Sequence, residues 1–121
     1  MSKVYIILVN YNGWEDTVEC MESLFKLEYD NFEIVLVDNA SPNSSVSKII
    51  SWSKGEILVF PKSDKLANLS QPAKQKPLII NQIKSSEETT LSSTPFDFTL
   101  IESAPYSCVK FADPIIIRFF N

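Results

Sequence analysis

The chain has 121 residues, 45% of them hydrophobic, which suffices for one globular domain with its own core. Its net charge of -4 gives no basic footprint for a phosphate backbone, so nucleic acid is excluded as a main partner. With no histidine and only Gly13 and Gly55 as glycines, it has no Ser-His or Cys-His catalysis, no His-metal site, no G-x-G-x-x-G and no P-loop. Cys20 and Cys108 are far apart and form no Cys-x-x-Cys, so both are expected to be reduced and structural. Carboxylates, amides, hydroxyls and aromatics remain for chemistry.

Val4 to Val9 is a continuous β-branched and aromatic run, which predicts a central parallel strand covered on both faces. The run is too short for a signal-peptide core, and no stretch approaches the roughly 20 apolar residues that span a bilayer. The expected location is cytoplasmic, with peripheral association at a membrane left open. Trp14 to Glu28 predicts an amphipathic helix with Val18, Met21, Leu24 and Phe25 on one face, Glu15 and Asp16 in the first turn and Lys26 in the last. After the turn Tyr29-Asp30-Asn31, Phe32 to Val37 predicts a second buried strand, completing a βαβ unit.

Ser41 to Ser45 supplies N-cap candidates for a second helix with Val46, Ile49, Ile50 and Trp52 on its inner face, ending near Gly55. Glu56 to Phe60, EILVF, reads as a short third strand and closes a βαβα core over residues 1–60. Residues 61–95 are rich in Lys, Ser, Gln, Thr and Pro and read as a polar loop or insertion, broken by Pro77-Leu78-Ile79-Ile80 as a short extended piece. Residues 96–121 comprise a strand, Phe96 to Glu102, and an atypical tail ending in the apolar run Ile115 to Phe120.

Ligands of open α/β sheets bind beyond the carboxyl ends of the strands. Two runs end there on similar groups, Asn10-Tyr11-Asn12-Gly13 and Asp38-Asn39-Ala40-Ser41. Tyr11 offers a flat face on which a base can stack, and Asp38 offers acceptors for an imide N–H or a ribose hydroxyl. Together they describe half of a nucleotide pocket. Asn, Asp, Gly and Ser also favour turns and caps for local reasons, so a purely structural role for both endings stays open.

The stretch VYIILVNYNGWEDTVECMESLFKLEYDNFEIVLVDNASPNSS, with strands ending in V-N-Y-N and V-D-N-A-S and a helix carrying C-x-x-S-L, resembles the N-terminus of family 2 glycosyltransferases of the GT-A fold, especially rhamnosyltransferase-like members. The likeness runs from Val4 to Ser45 and continues more weakly, through WSKGEI, LANLSQPAKQKPL and FTLIES, to Ser103. It implies an α/β architecture: a Rossmann-like GT-A nucleotide-binding half-domain with a mostly parallel sheet flanked by helices. It also implies a UDP- or dTDP-sugar donor whose base is flanked by Val9 and Tyr11 and bonded by Asp38, with Asn39 and Ser41 contacting or shaping the adjoining wall. Asn10 and Asn12, at the same strand end, complete the candidate donor-binding set. The implied reaction is an inverting displacement. A hydroxyl of a glycan or polysaccharide precursor, deprotonated by a carboxylate base, attacks the anomeric carbon while Mg²⁺ or Mn²⁺ stabilises the departing diphosphate.

The resemblance stops at Ser103, where Ala104-Pro105-Tyr106-Ser107-Cys108 replaces the family's Gly- and Asn-rich loop, its acidic D-x-D motif and its acceptor region. Asp97 and Glu102 read as solvated strand positions, Asp113 as a turn residue and Glu87-Glu88 as loop charge. No catalytic residue or metal ligand is therefore assigned in this chain, and Mg or Mn is implied only for the full-length family. The expectation is an N-terminal glycosyltransferase fragment with a frameshifted or truncated tail. It is expected to be inactive alone and to self-associate through uncovered apolar faces and the tail. The alternative is a non-catalytic nucleotide-binding or interaction module completed by a partner chain.

Overall fold

The computed structural model describes residues 4–29, 31–42, 44–58, 72–84, 89–90, 96–103, 108–110 and 116–118. Strands β1 (Val4–Asn10), β2 (Phe32–Asp38), β3 (Ile80–Lys84) and β5 (Phe98–Glu102) form an all-parallel sheet in the order β1-β2-β5-β3. Helices α1 (Trp14–Leu24) and α2 (Ser45–Lys54) follow β1 and β2. A second, three-stranded sheet contains β4 (Thr89–Thr90), β6 (Cys108–Lys110) and β7 (Ile116–Arg118), with β4 parallel and β7 antiparallel to β6. The molecule is a Rossmann-like α/β half-domain, as the resemblance implies, and it opens with the βαβ unit that the strand-helix-strand pattern predicts.

Side chains alternate across a strand, so Ile34 and Leu36 of β2 share a face with Phe98 and Leu100 of β5. That face packs against Val18 and Met21 of α1 and Ile49 and Trp52 of α2, all buried. Val35, Val37 and Ile101, on the other face, are buried too. β2 and β5 therefore explain their unbroken apolar runs by burial on both faces.

The equally apolar β1 differs from expectation. Among the described residues it pairs with β2 alone, so it stands at the sheet edge and not at the centre, and Val4, Ile7 and Val9 are exposed. An edge strand lacks a neighbour on one side, which a composition rule for buried strands does not register.

Other boundaries also move. α1 ends at Leu24, earlier than predicted, because Lys26 N–H and Leu27 N–H turn to the carbonyls of Ser23 and Leu24 three residues back and tighten the last turn. Lys26 consequently lies beyond the helix. α2 ends as predicted at Gly55, whose φ of 84° suits a residue without Cβ; Gly55 N–H bonds to Trp52 O at 3.0 Å and Glu56 N–H to Ser51 O at 2.9 Å, a Schellman closure. Ser44 takes the N-cap position but makes no side-chain cap bond. Glu56 to Leu58 form no strand, and Val59 and Phe60 lie outside the described residues. The extended piece around Pro77 to Ile80 becomes a full sheet strand only from Ile80 onward, as β3, inside the stretch read as polar insertion. Glu87, Glu88 and Asp113 lie outside the described residues, as does all of the apolar tail except β7.

A strap from Lys74 to Leu78 is fixed onto the helices by one buried carboxylate. Glu22 of α1, 5% exposed, accepts from Trp52 Nε1 at 3.2 Å, from Lys74 N–H at 3.0 Å and from Lys76 Nζ at 2.8 Å. Lys76 Nζ also lies 5.1 Å from the Trp52 ring centroid, and Lys74 Nζ 4.8 Å from that of Phe25. Leu78 N–H closes the strap on Ser53 O at 2.7 Å. At the strap's far end Asp97, expected to be solvated, pairs with Lys74 at 3.0 Å and accepts from Ile79 N–H at 2.6 Å. It lies just before β5 and acts as a tether.

Glu22→Ala would leave the Trp52 indole N–H and the Lys74 amide without their acceptor and the Lys76 ammonium without its counter-charge, with only Lys74 O still accepting from it. The expected loss is about 3–5 kcal/mol in urea unfolding. A loss below about 1 kcal/mol would show that the cluster behaves as an exposed surface pair.

Candidate functional site

The four parallel strands change from apolar to polar at one level. Val9, Val37, Ile101 and Ile83 occupy matched register positions, and the next row is Asn10, Asp38, Glu102 and Lys84. The loops after β1 and β2 therefore leave the sheet side by side.

Asn10 and Asp38 are 1% and 3% exposed, and buried polar groups at that depth need partners. Asn10 Nδ2 donates to Asp38 Oδ1 at 2.8 Å and, at a longer 3.4 Å, to Ser41 Oγ. Ser41 Oγ donates to Asp38 Oδ1 at 2.6 Å, and Ser41 N–H to Asp38 Oδ2 at 3.1 Å. Thr17 Oγ1, from the first turns of α1, donates to Asn10 Oδ1 at 2.7 Å. Asn12 N–H donates to Ser41 Oγ at 3.0 Å, joining the two loops. Main-chain bonds extend the register: Asn39 N–H to Asn10 O at 2.9 Å and Ser103 N–H to Asp38 O at 3.1 Å.

Both loops contain a left-handed residue that is not glycine, Asn12 at φ 57° and Ala40 at φ 53°. Asn tolerates that region, but Ala pays a Cβ clash of about 1–2 kcal/mol. Ala40 holds it between two fixed points, the Asn39 amide on β1 and the Ser41 amide on Asp38. Strain of this kind collects where surrounding structure over-determines a loop, as it does at ligand sites.

Beside these loops lies a cavity of about 400 Å³ between the ends of β2 and β5 and the first half of α2, lined by Asp38, Ser41, Ser44, Ser47, Ile50 and Glu102 among others. That volume falls in the range of small-molecule sites. Of the candidate residues, the structure brings Asn10, Asn12, Asp38 and Ser41 into one hydrogen-bonded cluster. Val9 and Tyr11 stand out from it, 66% and 59% exposed, and Asn39 is exposed as well. Thr17 and Glu102 are among the further residues that join the site, and neither gave a sequence warning. Thr17 carries no signal beyond a hydroxyl inside a helix. Glu102, read as a solvated strand position, lines the cavity because β5 lies next to β2 and sets Glu102 opposite Asp38. Only the strand pairing could have shown that.

Among the described residues no group of three or more His, Cys, Asp and Glu side chains is placed to hold a metal ion. The described residues therefore offer no donor set for the divalent cation implied for the family. Cys20 is a free cysteine on the exposed side of α1, and partial burial pushes its thiol up, which keeps it protonated and poorly nucleophilic.

Residues 5–73, which include every candidate donor-binding residue, match the family described as Glycosyl transferase family 2. The chain belongs to that family. No curated protein and no solved structure matches it. Membership in glycosyl transferase family 2 makes the relevant chemistry glycosyl transfer, with a nucleotide-sugar donor and an acceptor. The parallel sheet agrees with the GT-A architecture expected of it. No described helix is long and apolar enough to cross a membrane.

The buried amide of Asn10 is the sensitive point of the cluster. Asn10→Asp keeps its shape but sets a second carboxyl against Asp38. That carboxyl is harder to ionise in the folded chain than in the unfolded one, so from about pH 4 upward the native state holds more protons and stability falls as pH rises. Thermal unfolding from pH 4 to 8 should show a Tm deficit against the parent that widens with pH. A deficit independent of pH would mean that the two side chains do not face each other.

Proposed function

We propose that this chain is the donor-binding part of a family 2 glycosyltransferase and holds the base of a UDP- or dTDP-sugar at the ends of β1 and β2. One observation supports the reading: Asp38 lines the cavity, and the hydrogen bonds to its carboxylate do not use all of its acceptor capacity. An ionised carboxylate has about four lone-pair sites. Oδ1 accepts from Asn10 and Ser41 Oγ, and Oδ2 from Ser41 N–H alone, which leaves one acceptor position on Oδ2. That position suits the imide N–H of uracil or thymine. Cytosine presents an acceptor at the same ring atom and would leave two acceptors facing each other.

The exposed Tyr11 ring supplies a stacking face, and Val9 an apolar flank. In this reading the chain's own contribution is to bind and orient the donor, so that the hydroxyl of a glycan or polysaccharide precursor meets the anomeric carbon in line. The sequence contains no Asp-x-Asp, and no described carboxylate is assigned as the base, so the chain alone is expected to be inactive. The exposed Val4, Ile7 and Val9 at the β1 edge support the expected self-association. A cytoplasmic setting, where nucleotide sugars are used, accompanies this reading.

Stacking and a few hydrogen bonds without diphosphate contacts give weak binding, with Kd on the order of 1 mM. In NMR titrations UDP and dTDP should shift resonances of the β1 and β2 loops. Tyr11→Ala should weaken binding by about 1–3 kcal/mol. Equal shifts in the parent, Tyr11→Ala and Asp38→Asn would place the nucleotide elsewhere.

With Mg²⁺ or Mn²⁺ and a nucleotide sugar, the purified chain should release no UDP or dTDP. Metal-dependent release abolished by Asp38→Asn would show that the chain is active after all.

A further inference from the structure

The hydroxyl of Ser41 has one proton and two lone pairs, and the protein occupies all three. It donates to Asp38 Oδ1 at 2.6 Å and accepts from Asn12 N–H at 3.0 Å and from Asn10 Nδ2 at 3.4 Å. Nothing remains for a ligand. The amide of Asn10 has no donor left either: its two Nδ2 protons go to Asp38 and Ser41, its Oδ1 accepts from Thr17, and burial closes the rest of the group off.

These bonds admit one arrangement of protons. Asp38 can only accept, so Ser41 and the Asn10 Nδ2 must donate to it. Asn10 Oδ1 then faces Thr17, whose hydroxyl must donate. The sequence of groups runs from α1 through β1 to β2 and back to the β1 loop at Asn12, directly beside Tyr11.

We infer that Thr17, Asn10 and Ser41 are positioning residues whose polar side-chain groups hold Asp38 and make no hydrogen bond to the nucleotide, and that together they fix which Asp38 lone pair faces the cavity and how far that lone pair lies from the Tyr11 loop. The inference rests on the nucleotide reading above. It changes the expected roles of Asn10 and Ser41 from binding residues to supports, and it adds Thr17, which lies off the cavity. Base selectivity is its consequence. A carboxylate held in one orientation accepts from the imide of uracil or thymine and rejects cytosine, because a polar group built to pair leaves the wrong base unpaired. A carboxylate free to turn discriminates poorly.

The test compares UDP, dTDP and CDP binding by NMR titration in the parent chain and in Thr17→Val, Thr17→Ser and Ser41→Ala, with Tm measured for each. Thr17→Val preserves shape and removes only the donor, whereas Thr17→Ser retains it. The parent should prefer UDP and dTDP over CDP by about tenfold or more, the size of one lost hydrogen bond to a charged group. Thr17→Val and Ser41→Ala should bring that ratio close to one while remaining folded, and Thr17→Ser should restore it. A merely structural role would lower Tm and weaken all three nucleotides alike, so an unchanged ratio in folded Thr17→Val and Ser41→Ala overturns the inference alone. A parent that binds none of the three, or binds them equally, overturns the nucleotide reading and the inference with it. A second measurement needs neither ligand nor variant. The Asn10 side-chain amide protons should exchange with solvent far more slowly than those of exposed asparagines such as Asn39, and equal exchange would overturn the inference.

Discussion

A carboxylate buried without compensation is one of the costlier things a fold can contain, and Asp38 lies at the end of the central strand β2. Its burial requires donors at fixed places. Parallel register supplies the first, since Asn10 is the β1 residue opposite Asp38. The sharp reversal through Ala40 supplies the next two from Ser41, and Thr17 orients the amide that completes the set. Removing any member exposes the others' unmet bonds, so the site and the end of the sheet form one unit.

Helix α1 connects this unit to the rest of the molecule. Thr17 reaches the carboxyl end of β1, Glu22 fixes the strap that leads into β3, and between them Val18 and Met21 bury into the sheet. The same helix therefore sets the level at which Asn10 sits and the path by which the chain returns to add β3 beside β5. Two of the buried carboxylates, Asp38 and Glu22, differ in their partners. Glu22 has a cationic partner in Lys76, whereas Asp38 is held by neutral donors.

The features legible in the sequence were those with local causes. The helix faces around Val18 and Ile49, the stop at Gly55, the β1 and β2 strands and the polar strand ends all follow from periodicity, glycine geometry and turn chemistry. Linked motifs at Asn10-Tyr11-Asn12 and Asp38-Asn39-Ala40-Ser41 pointed to the family that the match over residues 5–73 establishes. What escaped depends on pairing between distant segments. β1 carries the same residues as a central strand, and only its missing neighbour among the described residues makes it an edge. Asp97 and Glu102 are unremarkable in a strand pattern, and their roles come from Lys74, Ile79 and the Asp38 register. Strand β3 was hidden because its polar residues Asn81, Gln82 and Lys84 resemble the insertion around them.

The central claim is that a pyrimidine base with an imide proton lies between Tyr11 and Asp38. It is tested most directly by isotope-filtered NOE measurements on the labelled chain with saturating UDP. The account predicts contacts from the uracil ring protons to the Tyr11 ring and to the Val9 methyls, together with a shifted, protected imide proton. Contacts confined to the outer surface of α1 or to the strap around Lys74, with Tyr11 unaffected, would contradict it.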